Sequence, residues 1–101
     1  MKVIIKRVNQ KPEIIEIENT LEDMQKAVGG YIEVVYVHSG CVMLCNEEGR
    51  IQKLPYNFNL GNNNIVGDVI FTRQSGAEFT DLSEGDVEMI QHFFNRTPYT
   101  T

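Results

Sequence analysis

The residues best suited to hold a small molecule lie between Arg50 and Arg73. The stretch Pro55-Tyr-Asn-Phe-Asn-Leu-Gly-Asn-Asn-Asn64 has no clean period and carries five asparagines with two aromatics among them. Asparagine amides donate and accept hydrogen bonds at once, and aromatic faces stack on bases or sugars. Tyr56, Asn57, Phe58 and Asn59 therefore make a candidate ligand-binding set. Arg50, Lys53 and Arg73 on neighbouring segments are candidates to neutralise a phosphate. The competing reading has Tyr56 and Phe58 anchoring a loop to the core while the asparagines occupy turns. What separates the two is convergence of a few polar groups on one cavity, which is a property of the fold.

Other chemistries find less support. His38 and His92 are the only side chains that titrate near neutrality without perturbation. His92 borders an apolar stripe beside Phe93, and His38-Ser39 sits in a turn; neither belongs to a strained turn presenting a nucleophile. Cys41 and Cys45 fall in Cys-Val-Met-Leu-Cys, which reads as a strand. Four residues of strand separate their Cα atoms by roughly 13 Å, too far for a disulfide. A Cys-x2-Cys zinc knuckle needs a tight turn, which Val-Met-Leu is not. The expectation is two reduced cysteines, no metal and no cofactor. Gly29-Gly30 follows a helix instead of preceding one, so it stops that helix and does not cradle a phosphate.

Charge narrows the partners. The 101 residues carry nine Lys and Arg against fourteen Asp and Glu, a formal net charge of -5. General nucleic-acid binding, which needs cations to displace phosphate counterions, is not expected. Ten of the acids fall in two runs without a basic residue, 13–23 and 78–88. Either run would serve an acidic protein–protein surface, or simply complement helix dipoles and solvate a strand. Lys6-Arg7 interrupts the N-terminal apolar run after Val3-Ile4-Ile5, so no signal peptide is expected, and no apolar stretch is long enough to span a bilayer. A cytoplasmic protein, free of membrane, follows as the expectation.

These groups must be positioned by one domain, which the length allows. Residues 2–8 and 13–18 are rich in β-branched residues around Asn9-Gln10-Lys11-Pro12 and read as a hairpin. Thr20 or Asn19 caps a helix in which Leu21, Met24 and Val28 form the stripe, with Asp23 as a short capping-box acid. Residues 31–37 read as a central strand, 41–45 and 50–54 as two more in a meander, 55–64 as an irregular loop and 65–72 as a strand with a bulge or close approach at Gly67. Arg73–Gly76 reads as a turn. Ser83 caps a second helix with Val87, Ile90, Phe93 and Phe94 on its stripe, ending at 95–98. The fold class is α+β: a single domain over 1–95, a mixed or antiparallel sheet of about five to six short strands, two amphipathic helices and a frayed tail at 96–101.

Four blocks, in order, carry a resemblance: Val28-Gly-Gly-Tyr-Ile-Glu-Val-Val35, Cys45-Asn-Glu-Glu-Gly49, Leu54-Pro-Tyr-Asn57 and Ile65-Val-Gly-Asp-Val-Ile70. Together they resemble the domain of unknown function 3846 family over roughly residues 1–95. The resemblance implies a small protein of phage, plasmid or bacterial origin and assigns no site. The functional expectation is a non-enzymatic protein that captures a small ligand, such as a nucleotide, near 55–64. The alternative is inhibition of a host protein through an acidic surface, and the third reading is an enzyme centred on His38. Homo-oligomerisation by edge pairing of strand 41–45 is left open.

Overall fold

A computed structural model describes residues 1–96. Eight strands and two helices follow one another as β1 (Lys2–Lys6), β2 (Glu13–Glu16), α1 (Leu21–Val28), β3 (Ile32–His38), β4 (Cys41–Asn46), β5 (Tyr56–Leu60), β6 (Asn63–Val66), β7 (Val69–Ser75), β8 (Glu78–Thr80) and α2 (Glu84–Arg96). The main sheet runs β2-β1-β7-β4-β3, with β8 paired to β7, while β5 and β6 form a second sheet of two strands. Every pairing is antiparallel. The α+β class stands, with the sheet antiparallel rather than mixed.

Alternation along the strands sorts the core into two layers. Ile4, Met43, Val69 and Phe71 project to one face, where α2 brings Ile90 and Phe94 and the small sheet brings Phe58 and Ile65. Ile5, Val42, Leu44 and Ile70 project to the other, where α1 brings Met24 and Val28. The main sheet is thus covered on both sides, which is why β4 and most of β7 are almost continuously apolar.

Both helices begin as their cap residues dictate. The Thr20 hydroxyl accepts from the Asp23 amide at 3.1 Å, and the Asp23 carboxylate accepts from Glu18 N–H at 3.2 Å. At α2 the Ser83 hydroxyl accepts from Asp86 N–H and the Asp86 carboxylate accepts from Ser83 N–H, a reciprocal capping box with Asp in the third position. Gly29, at φ 78°, closes α1 in the left-handed conformation.

Four sequence expectations require correction. Residues 50–54 are not a strand: Asn46 Oδ1 accepts from Glu48 N–H, and turn bonds from Gln52 to Glu48, Lys53 to Arg50 and Leu54 to Gly49 wind the segment tightly. Residues 55–64 are not an irregular loop but most of the β5–β6 hairpin. Leu60 pairs with Asn63, leaving Gly61-Asn62 as a two-residue turn, with positive φ at Gly61 only, the sign pattern of a type II′ turn. The strand expected at 65–72 breaks at Gly67, where φ is 74° and Leu54 Cδ1 stands 2.7 Å from where a Cβ would be. Its continuation, β7, then runs through Arg73–Ser75 to a turn at 76–77.

The fourth concerns order. Strand 31–37, expected to be central, is β3 at the edge of the sheet; β4, the strand considered for edge pairing, lies between β7 and β3 and has no free edge. The helix end expected at 95–98 and the tail at 96–101 fall, apart from the helical residues through Arg96, outside the described residues.

Candidate functional site

The β5–β6 hairpin lies across the α2 face of the main sheet and is tied down by two of the residues proposed for ligand contact. Phe58 is buried and packs its ring against Phe94 (centroids 4.9 Å), Phe93 (6.1 Å) and Phe71 (6.3 Å). Asn57 is buried too: its amide nitrogen donates to the Lys6 and Gly67 carbonyls at 2.9 and 2.8 Å, and its oxygen accepts from Lys6 Nζ at 2.8 Å. These side chains join the two sheets. Burial lowers the Lys6 pKa, and the nearby Asp68 carboxylate partly offsets that.

The remaining candidates are dispersed. Tyr56 is exposed, and its hydroxyl donates to Asn59 Oδ1 at 3.0 Å. Lys53 is exposed at φ 57° in the turn after β4 and is not among the residues that line the cleft beside the hairpin. Arg73 donates from Nε and Nη2 to the two oxygens of Asp86, each at 2.8 Å, a bidentate pair that fixes the start of α2 to β7. The pairing holds the Asp86 carboxyl down at about 2, against the cost of desolvation and helped by the Ser83 amide and hydroxyl.

Of the three basic candidates, Arg50 is the one that lines the cleft beside the hairpin. Where the hairpin leaves β3 and β4 uncovered, a cleft of about 300 Å³ opens, lined by Glu33, Val35, Cys45, Glu47, Arg50, Ile51 and Asn63–Val66 among others. Val35 and Ile65 supply apolar walls; Glu33, Glu47, Arg50, Asn63 and Asn64 supply charge and amides. Arg50 is oriented across the cleft by donating from Nη2 to the Asn64 carbonyl at 2.9 Å. Cys45 Sγ lies 4.0 Å from a Glu33 carboxylate oxygen, and burial together with that charge pushes its thiol up to about 11. Cys41, fully buried in β4, is raised to about 11 chiefly by burial. Both shifts disfavour the thiolate near neutrality.

The sequence reading singled out Arg50 and took the asparagine-bearing hairpin for an irregular loop; it left Asn63 and Asn64 out of its candidate set and did not single out Glu33, Cys45 or Glu47. The available signal was Leu60-Gly61-Asn62-Asn63, since Gly-Asn between two polar–apolar alternating runs is a hairpin turn. Recognising it would have placed Asn63 and Asn64 on a strand beside the sheet.

On the other flank of the hairpin, Val37, His38, Leu60, Phe71, Met89 and Phe93 border a second, largely apolar groove of about 330 Å³. His38 Nε2 is 3.4 Å from the Ser39 hydroxyl and is exposed. Among the described residues no three His, Cys, Asp or Glu side chains are grouped to hold a metal ion, and no helix is long and apolar enough to cross a membrane. The acids of the two runs are partly engaged at home: Asp23 and Asp86 cap helices, Glu13 pairs with Arg7, Glu16 with the N-terminal ammonium, and Asp81 accepts from Lys2 N–H.

The family model of domain of unknown function 3846 matches residues 1–95. The chain belongs to that family. The match takes in every strand and all but the last residue of α2, so the cleft is built wholly from residues within the family domain. Searches of curated proteins and of solved structures find no match to the chain.

Proposed function

We propose that this protein is a small-molecule binding module, and that its site is the cleft between the β5–β6 hairpin and the β3–β4 edge of the main sheet. The observation that carries the reading is convergence: Glu33 from β3, Glu47 and Arg50 from the turn after β4, and Asn63 and Asn64 from β6 line one cavity with apolar walls. A ligand site of modest size has this composition, apolar walls with a few orienting polar groups.

The side chains also select the ligand. One guanidinium and two carboxylates line the cleft, which suits a molecule with no more than one negatively charged group and several N–H or O–H donors for Glu33 and Glu47. A nucleoside or a mononucleotide meets that description. A triphosphate does not, because Lys53 and Arg73 stand away from the cleft and no helix N-terminus among the lining residues offers its amides. The volume, at the lower end of ligand pockets, agrees with a compact ligand.

Thermal-shift measurements with nucleosides, their mono- and their triphosphates test this. Saturating nucleoside or monophosphate is expected to raise the melting temperature, with the shift abolished in Arg50→Ala for the monophosphate. No shift from any of these at millimolar concentration would overturn the reading.

A further inference from the structure

Among the described residues the main sheet has three free strand edges, at β2, β8 and β3, and two are blunted in the ways natural sheets use to avoid pairing. β2 is four residues long, follows Lys11-Pro12 and begins and ends in glutamate. β8 has three residues, with Glu78 in it and Asp81 just beyond. β3 is different. It is seven residues long, has no Lys, Arg or Pro, and exposes Val34 at 42% and Tyr36 at 69%, with Tyr31 at 66% just before it.

The phase of the ladder tells which backbone groups on this edge are free to pair. Glu47 N–H donates to the Tyr31 carbonyl at 2.8 Å, so Tyr31, Glu33 and Val35 turn their N–H and C=O toward β4. On the far side of β4, Gln74 N–H donates to the Gly40 carbonyl at 2.8 Å, which puts Val42 and Leu44 in phase with β7 and confirms the alternation. Ile32, Val34 and Tyr36 therefore direct their donors and acceptors outward. Beyond Tyr36 the register shifts at a bulge, so the pairing edge ends there.

Three outward residues spaced by two are symmetric about the middle one. We infer that β3 pairs antiparallel with β3 of a second copy of this chain, about a two-fold axis at Val34. Val34 then faces Val34 of the partner subunit, and Ile32 faces Tyr36 of the partner subunit. This register engages all six outward backbone groups ahead of the bulge; centring on Val35 or Tyr36 would leave some unpaired or run into the bulge. It also places each exposed Tyr36 ring over an isoleucine that borders the α1 core, an aromatic–β-branched cross-strand pair. Charge does not oppose the match: Glu33, the one acidic side chain on the strand, sits opposite Val35 of the partner subunit rather than another glutamate. An edge ladder buries less than a standard interface, so the dimer forms reversibly in the micromolar to millimolar range.

Two variants and a crosslink test the pairing without reference to any ligand. Sedimentation equilibrium of the wild type, up to about 1 mM, is expected to show concentration-dependent doubling of mass. V34K, which places two ammonium groups on the axis at a half-exposed position, is expected to stay monomeric across that range while keeping the wild-type melting temperature at low concentration. V34C is expected to form a covalent dimer under mild oxidation, since directly paired strand residues bring their Cα atoms within disulfide reach, whereas I14C on β2 is not. A wild type that remains monomeric overturns the inference, whether or not the edge accepts a strand from another protein. So does a dimer that persists in V34K and gives no V34C crosslink.

Discussion

The ion pair between Arg73 and Asp86 illustrates how a residue suited to a ligand becomes structural. Asp86 is buried, accepts from both Arg73 nitrogens and from Ser83 N–H, and has its pKa lowered from 3.8 to about 2. A carboxylate depressed in the folded state contributes stability that is fully present above the unfolded value and is lost as pH falls through the folded one. Asp86→Asn is expected to cost roughly 2 kcal/mol in urea unfolding at neutral pH. That deficit should shrink as pH falls below about 3.8 and vanish only once pH has passed below about 2. A deficit constant across that window would assign the pair no electrostatic role. Cys45 gives a second test at this scale. With its thiol raised from 9.0 to about 11, the thiolate is scarcer near neutrality, and after the higher nucleophilicity of a more basic thiolate is counted a thiol reagent should label it roughly ten-fold more slowly in the native than in the denatured chain. Cys41, fully buried, should be slower still. Labelling of Cys45 at the denatured rate would contradict its placement beside Glu33.

Among the elements, the β5–β6 hairpin decides whether there is a cleft at all, and Asn57 with Phe58 decides where the hairpin sits. Asn57→Ala leaves the buried Lys6 ammonium without one of its acceptors, so a loss of about 2–3 kcal/mol is expected. Hydrogen exchange should quicken in β5 and β6 before β1 or β7. Tyr56→Ala, at an exposed position, should change stability by no more than about 0.5 kcal/mol. Equal losses in the two variants would mean the hairpin is not held as described. Helix starts, the glycine stop at Gly29 and most strands were legible in the sequence because each follows from local chemistry: a cap hydroxyl, an acid three residues on, a β-branched run. Three things were not. Arg50–Leu54 looks like a strand in composition, yet Asn46 and Gly49 wind it into turns through bonds that propensity does not count. The sequence 55–64 looked aperiodic because Phe58 and Leu60 face the core while a bulge between Tyr56 and Phe58 shifts the alternation. Strand order was out of reach altogether, since whether 31–37 or 41–45 ends at an edge depends on which strand β7 inserts beside.

At the scale of the molecule, two sheets that do not merge leave an uncovered strip of the larger one on either side of the hairpin, and the strips differ in character. One is the polar cleft of Glu33, Arg50 and Asn63; the other is the apolar groove of Val37, Met89 and Phe93. The net charge of -5 discourages wrapping a nucleic acid, and several acids of the two runs are engaged in caps and pairs. What the charge permits is a single small ligand at Arg50, the guanidinium that lines the cleft beside Glu33 and Asn63. Titrating isotopically labelled protein with a mononucleotide, followed by amide NMR shifts, tests that claim most directly. The account predicts saturable shifts concentrated at Glu33, Cys45, Arg50, Asn63, Asn64 and Ile65. Shifts concentrated at Val37, Met89 and Phe93, or none at millimolar ligand, would contradict it.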